Sequence, residues 1–88
     1  MITPSLSILI CSLYSRSDQL KRLLSILELQ SQESKSEVEV ITCIDNGEDT
    51  IGHKRNRLLE QSNGSYIVFI DDDDLPGPCY ISLILRAI

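Results

Sequence analysis

The chain has 88 residues, enough for one domain that buries about 60–65% of its unfolded surface and folds with little stability to spare. Apolar residues make up 42% and charged residues 24%, ordinary globular values that exclude a disordered chain. The net charge is −5, yet Asp71 to Asp74 supply four of those negatives and the balance without them is −1; the basic residues are scattered apart from Lys54, Arg55 and Arg57, which argues against a nucleic-acid surface.

Leu6 to Cys11 is a short apolar run bounded by Pro4 and a polar stretch, the pattern of a strand buried on both faces. A helix should come next, capped by Ser17 or Asp18, with Leu20, Leu23, Leu24 and Leu27 forming one apolar stripe. Gln30 to Glu37 is polar and unpatterned, and reads as a surface loop. Val38 to Ile44 is rich in β-branched residues and predicts a second strand, ending in the turn-forming Asp45-Asn46-Gly47. Thr50 or Gly52 can open a second helix carrying Leu58 and Leu59, which Asn63-Gly64 would close with a left-handed cap. Tyr66 to Ile70 predicts the third strand, and Tyr80 to Ile88 a final helix.

This βαβαβα order with short connections implies parallel strands joined by right-handed crossovers: a three-layer open α/β sheet, mainly parallel, with helices on its faces. Ligands of such sheets sit at the C-terminal strand ends. Cys11 to Tyr14, Asp45 to Gly47 and Asp71 to Asp74 all fall there.

The run Asp71-Asp72-Asp73-Asp74, placed between an apolar strand and Pro76-Gly77-Pro78, reads as a metal site. Two carboxylates about 5 Å apart repel by roughly 3 kcal/mol at an effective dielectric of 20, and a divalent cation removes that penalty. In an extended segment Asp71 and Asp73 would point one way, Asp72 and Asp74 the other. All-oxygen ligands favour Mg²⁺ or Mn²⁺, with Ca²⁺ also suitable. The competing reading is a solvated acidic turn in which an aspartate caps the next helix.

Cys11, Cys43 and Cys79 are odd in number, far apart in sequence and form no Cys/His cluster around His53, so reduced thiols are expected. No apolar stretch is long enough to span a bilayer, and cytoplasmic residence is the default expectation. The last segment carries Ile81, Leu83, Ile84, Leu85 and Ile88 with no further element to cover them. Either the domain is truncated at its C-terminus or the final helix self-associates.

Taken in order, these strand-end residues resemble the nucleotide-binding half of a family 2 glycosyltransferase with the GT-A fold, over nearly all of the chain. Ser5 to Arg16 is similar to the family's opening strand and its Thr/Ser-x-Tyr-Asn-Arg turn, with Ser15 where Asn is usual. Val40 to Gly47 is similar to the second strand and its Asp-Asp-Gly-Ser ending, with Asn46 and Glu48 as departures. Gly52 to Arg57 resembles the Gly-x-x-x-Arg-Asn helix start, and Gly64 to Asp74 the Gly-Glu-Tyr-Ile strand with its Asp-x-Asp motif.

The resemblance implies the Rossmann-like half of a GT-A fold that binds a nucleotide-diphosphate sugar, for transfer of the sugar to the hydroxyl of a glycan, lipid or protein acceptor. A Mn²⁺ or Mg²⁺ bridging carboxylate and diphosphate oxygens would act as Lewis acid for the leaving group. Asp73 is the first-choice ligand and Asp71 its partner, with Asp72 reaching the ribose and Asp74 free to cap the next element of the chain. Tyr14 would stack on the base and Ser12 contact its edge, unless Tyr14 is a surface aromatic. Asp45 or Asn46 would contact base or ribose, or form only a turn; Asn46 both donates and accepts, so uracil is not implied as the base. Lys54 and Arg55, in the first turn of the second helix, would suit the diphosphate or form a solvated basic face. His53 reads as an exposed histidine. The family's catalytic base comes from the half beyond the third helix, so these residues alone are expected to be inactive. Competing classes are a non-catalytic metal and nucleotide module that self-associates, and an Mg²⁺-dependent phosphoryl-transfer domain; the latter needs an acid at the end of the first strand, where Cys11 to Tyr14 offer none.

Overall fold

A computed structural model describes residues 4–32 and 37–88. Its elements run β1 (Leu6–Leu13), a 3-10 turn (Tyr14–Arg16), α1 (Ser17–Ser31), β2 (Val38–Asp45), α2 (Ile51–Gln61), β3 (Tyr66–Phe69) and α3 (Tyr80–Ala87). The strands form one parallel sheet in the order β2-β1-β3. The chain steps one way from β1 to β2 and back past β1 to β3, so right-handed crossovers put α1 and α2 on opposite faces. Helix α3 packs against α1. The result is the three-layer α/β architecture expected, a Rossmann-like half-fold.

The two faces differ in thickness. Leu6, Ile8 and Ile10 of β1 meet Leu20, Leu23 and Leu27 of α1 and Ile81 of α3 in the main core. On the other face Leu9 and Leu58 are both fully buried, while Ile67 and Phe69 of the edge strand stay 42% and 38% exposed. Among the described residues no helix is long and apolar enough to cross a membrane.

Several local expectations are revised. No side chain caps α1: Ser17 and Asp18 lie inside it, its N-cap is Arg16, and the preceding 3-10 turn delivers the chain, with the Ser17 N–H bonded to the Tyr14 carbonyl. The helix also extends through Gln30 and Ser31; of the polar loop expected at 30–37, residues 33–36 lie outside the described residues. Gln30 has a defined task, accepting the Ile81 N–H at 3.0 Å and donating to the Gly77 carbonyl at 2.7 Å, so it pins the start of α3. Of the apolar residues on α3, Ile81 is buried and Ile84 and Leu85 pack on the core, leaving Leu83 and Ile88 exposed.

Thr50 does cap α2, its hydroxyl accepting the His53 N–H at 3.1 Å. Asn63-Gly64 does not close the helix by a left-handed turn, since neither has a positive φ. Gly64 is required for closeness instead: a Cβ there would stand 2.6 Å from the backbone nitrogen of Ser7. Its N–H donates to the Ser7 hydroxyl at 2.8 Å, and that hydroxyl donates in turn to Glu39. Ser7, itself fully buried, thereby satisfies its polar atom.

Candidate functional site

A cleft of about 420 Å³ opens over the C-terminal ends of β1 and β3 and the start of α2. Ser12, Lys54, Arg55, Asp71, Asp72 and Asp73 from the expected set line it, together with Arg16, Asp49 and Phe69. Tyr14, Asp45 and Asn46 are not in the lining. Tyr14 projects 60% exposed from the 3-10 turn, and Asn46 is an exposed turn residue whose N–H bonds to the Glu48 carboxylate. Gly47, at φ +96°, lets the backbone reverse after β2 in a conformation other side chains rarely adopt.

The four aspartates after β3 do not continue the strand. The Asp74 N–H bonds to the Asp71 carbonyl at 3.1 Å, and the Asp74 carboxylate accepts the Asp71 N–H at 3.0 Å, closing a turn. Strand alternation therefore fails here: Asp74 joins Asp71 and Asp73 on the outer side, and caps backwards rather than onto the next helix. These three exposed residues each bring one carboxylate oxygen within 4.8 Å of the others. Such an all-oxygen set has the chemistry for a hard divalent cation.

Asp72 turns inward and is nearly buried. Its two oxygens accept from Arg16 Nε at 3.0 and 2.8 Å, and Oδ2 also accepts from the Ser12 hydroxyl at 2.8 Å. The Arg16 hydrogen bond, helped by Ser12, holds this carboxyl below the usual carboxylate range despite its burial, and the same pairing raises Arg16. Both Asp72 oxygens are engaged within the protein, rather than presented to a ribose.

Lys54 is likewise internal. Its side chain is 4% exposed, and Nζ donates to Asp45 at 2.7 Å and to the Ser12 carbonyl at 3.3 Å. That bond pulls the Asp45 carboxyl down and raises Lys54. Lys54 thus ties α2 to the ends of β1 and β2 and forms neither a solvated basic face nor an open anion site. Arg55, by contrast, lies at the surface with its guanidinium 5.1 Å from the Phe69 ring centroid. Cys11 sits beside Cys43 in the strand register. Burial first, and the neighbouring Cys43 second, push the Cys11 thiol up, so it is kept protonated and unsuited to act as a nucleophile.

Sequence reasoning gives Asp49 no part, and places Arg16 only as the closing Arg of the family-like turn, with no role of its own. Asp49 accepts from the Thr50 N–H at 2.9 Å and from His53 Nδ1 at 2.8 Å, and pairs with Arg57. Burial pushes this carboxyl up, but the His53 bond, the Thr50 N–H and Arg57 together hold it below its ordinary value. The available signal for Asp49 was its place immediately before a capping Thr50. For Arg16 it was a lone cation just beyond a strand whose parallel neighbour ends in carboxylates. Comparisons with protein-family models, curated proteins and solved structures find no match.

Proposed function

We propose that this chain is the donor-binding domain of a family 2 glycosyltransferase, taking a nucleotide-diphosphate sugar with Mn²⁺ or Mg²⁺ so that the sugar passes to an acceptor hydroxyl. The observation that carries the reading is the convergence of Asp71, Asp73 and Asp74, the first two of which line a cleft over the C-terminal edge of a parallel sheet. Asp73 and Asp71 are assigned to the cation, Arg55 to the anionic ligand, and Tyr14 and Ser12 to the nucleoside side. Charge balance supports a cation as part of the ligand: the charge of Lys54 is cancelled by Asp45 and that of Arg16 by Asp72, which leaves the outer carboxylates in excess beside the anionic ligand proposed here. No catalytic base is assigned among these residues, and turnover requires one from outside them. The free cysteines fit a reducing compartment, and we place the protein in the cytoplasm.

Calorimetric titration of UDP, GDP and dTDP in Mn²⁺ and then in EDTA, repeated with Asp73→Ala, tests the reading. One diphosphate is expected to bind only with metal and only when Asp73 is present. Equal binding in EDTA, or by Asp73→Ala, would sink the metal-dependent donor site. Self-association through α3 would rest on Leu83 and Ile88, and a monomer in sedimentation at high protein concentration removes that alternative.

A further inference from the structure

We infer that Arg16 is the group that grips phosphate oxygens in the cleft, with Asp72 and Ser12 acting as its positioning residues; this rests on the anionic-ligand reading above. Among the described residues Arg16, Lys54 and Arg55 line the cleft and Arg57 pairs with its wall residue Asp49; all but Arg16 are committed or loosely held. Lys54 Nζ is spent on Asp45 and the Ser12 carbonyl, Arg57 is paired with Asp49, and Arg55 is held only by its stacking on Phe69. Arg16 differs in being anchored and open at once. Its Nε is fixed by both oxygens of Asp72, themselves steadied by the Ser12 hydroxyl, while its Nη1 and Nη2 make no hydrogen bond to a described residue. The side chain is 37% exposed and lines the cleft, so its outer edge, hydrogen-bonded to no described residue, is open to a ligand there.

A planar fork presenting parallel N–H donors matches the spacing of two phosphate oxygens, and a fork already fixed at its base loses little freedom on binding. Because Asp72 cancels the net charge of Arg16, the grip is directional rather than a diffuse attraction. Its one competitor is Asp73, whose oxygen lies 3.6 Å from Arg16 Nη2. A cation on Asp73 would draw that carboxylate away from the guanidinium, so cation and phosphate should load together rather than compete. Arg16 therefore fills the place that the sequence suggests for Lys54.

The test is direct observation of the arginine side-chain ¹⁵N signals in the wild-type chain during titration with inorganic pyrophosphate, with and without Mg²⁺, alongside Arg16→Lys and the distant control Lys21→Gln. Arg16 Nη signals are expected to shift and sharpen as pyrophosphate binds in Mg²⁺, with Arg16→Lys binding at least tenfold more weakly and Lys21→Gln as wild type. If Mg²⁺-pyrophosphate binds and shifts the amides of Asp71 to Asp74 while the Arg16 signals stay still, or if Arg16→Lys binds like wild type, the inference is wrong and the metal site stands. If Arg16 responds equally without Mg²⁺, Arg16 stands and the metal requirement falls. If no signal in the cleft moves, both fall.

Discussion

At the scale of single residues the site is decided by which charged groups turn inward. Asp72 and Lys54 do, and each finds one opposite charge and one β1 partner at Ser12. Such pairings make stability depend on pH in a definite sense. The carboxyls of Asp72 and Asp45 are held low in the fold, so their contribution is present above the unfolded value of about 3.9 and is lost as pH falls through the lower folded values. Lys54 is raised, so its contribution is present below the unfolded value of about 10.4 and is lost as pH climbs through the higher folded one. The urea midpoint should therefore be flat through neutrality, fall below about pH 4, begin to fall above about pH 8.5 because the raised Cys11 thiol ionises more readily when unfolded, and fall further above about pH 10.4. Asp72→Asn should lower the midpoint at pH 7 and flatten the acid limb, because one proton fewer is taken up there; an unchanged acid limb would remove Asp72 from the account. The sequence showed that carboxylates cluster after β3, but which one points inward was hidden. Alternation assumes an extended backbone, and the Asp71 to Asp74 turn breaks that assumption. Lys54 was hidden for a related reason: a lysine in a first helical turn is read as solvated until its strand-end partner is known.

At the scale of elements the sequence was legible wherever one periodicity ruled. The apolar stripe of α1, the β-branched run of β2 and the Thr50 cap each depend on near neighbours in the chain, and each sits where its local pattern puts it. Asn63-Gly64 misleads because the same dipeptide serves two purposes. A glycine that ends a helix and one that lets a loop lie against a distant strand look alike until Ser7 is placed beside it. The close approach gives a clear expectation. Gly64→Ala would drive a methyl group into the β1 backbone and should destabilise by about 1–3 kcal/mol. At about 4–8 °C per kcal/mol for a domain of this size, calorimetry would show a large drop in Tm. A Tm within a degree of wild type would mean the loop yields freely and the Glu39, Ser7 and Gly64 hydrogen bonds do not pin it.

At the scale of the whole molecule, a small sheet with one well-covered face holds a cluster of like charges at its open edge, and the two facts bear on one another. Asp71, Asp73 and Asp74 bring oxygens within 4.8 Å of one another, and among the described residues only Asp73 has an ion pair, with Arg16 at 3.6 Å. The Asp71 side chain makes no hydrogen bond or ion pair to a described residue, so the unliganded fold gains nothing from its charge and bears the repulsion. On the donor-site reading proposed above, the cluster would give up stability for its ligand. Asp71→Asn should raise the Tm of the free protein by relieving repulsion without breaking a contact. It should also remove part of the stabilisation conferred by Mn²⁺ with the preferred nucleoside diphosphate. In the wild type that stabilisation should reach about 2.7 kcal/mol when the ligand is 100-fold above Kd. Because the cleft draws on β1, β3 and α2 together, ligand binding should hold the whole domain and appear as a single shifted transition rather than a local one. Paired calorimetric scans of wild type and Asp71→Asn, each with and without ligand and metal, measure both effects at once. A variant less stable than wild type in the free state would show that Asp71 supports the fold itself, and the assignment of its charge to a bound cation would then lose its ground.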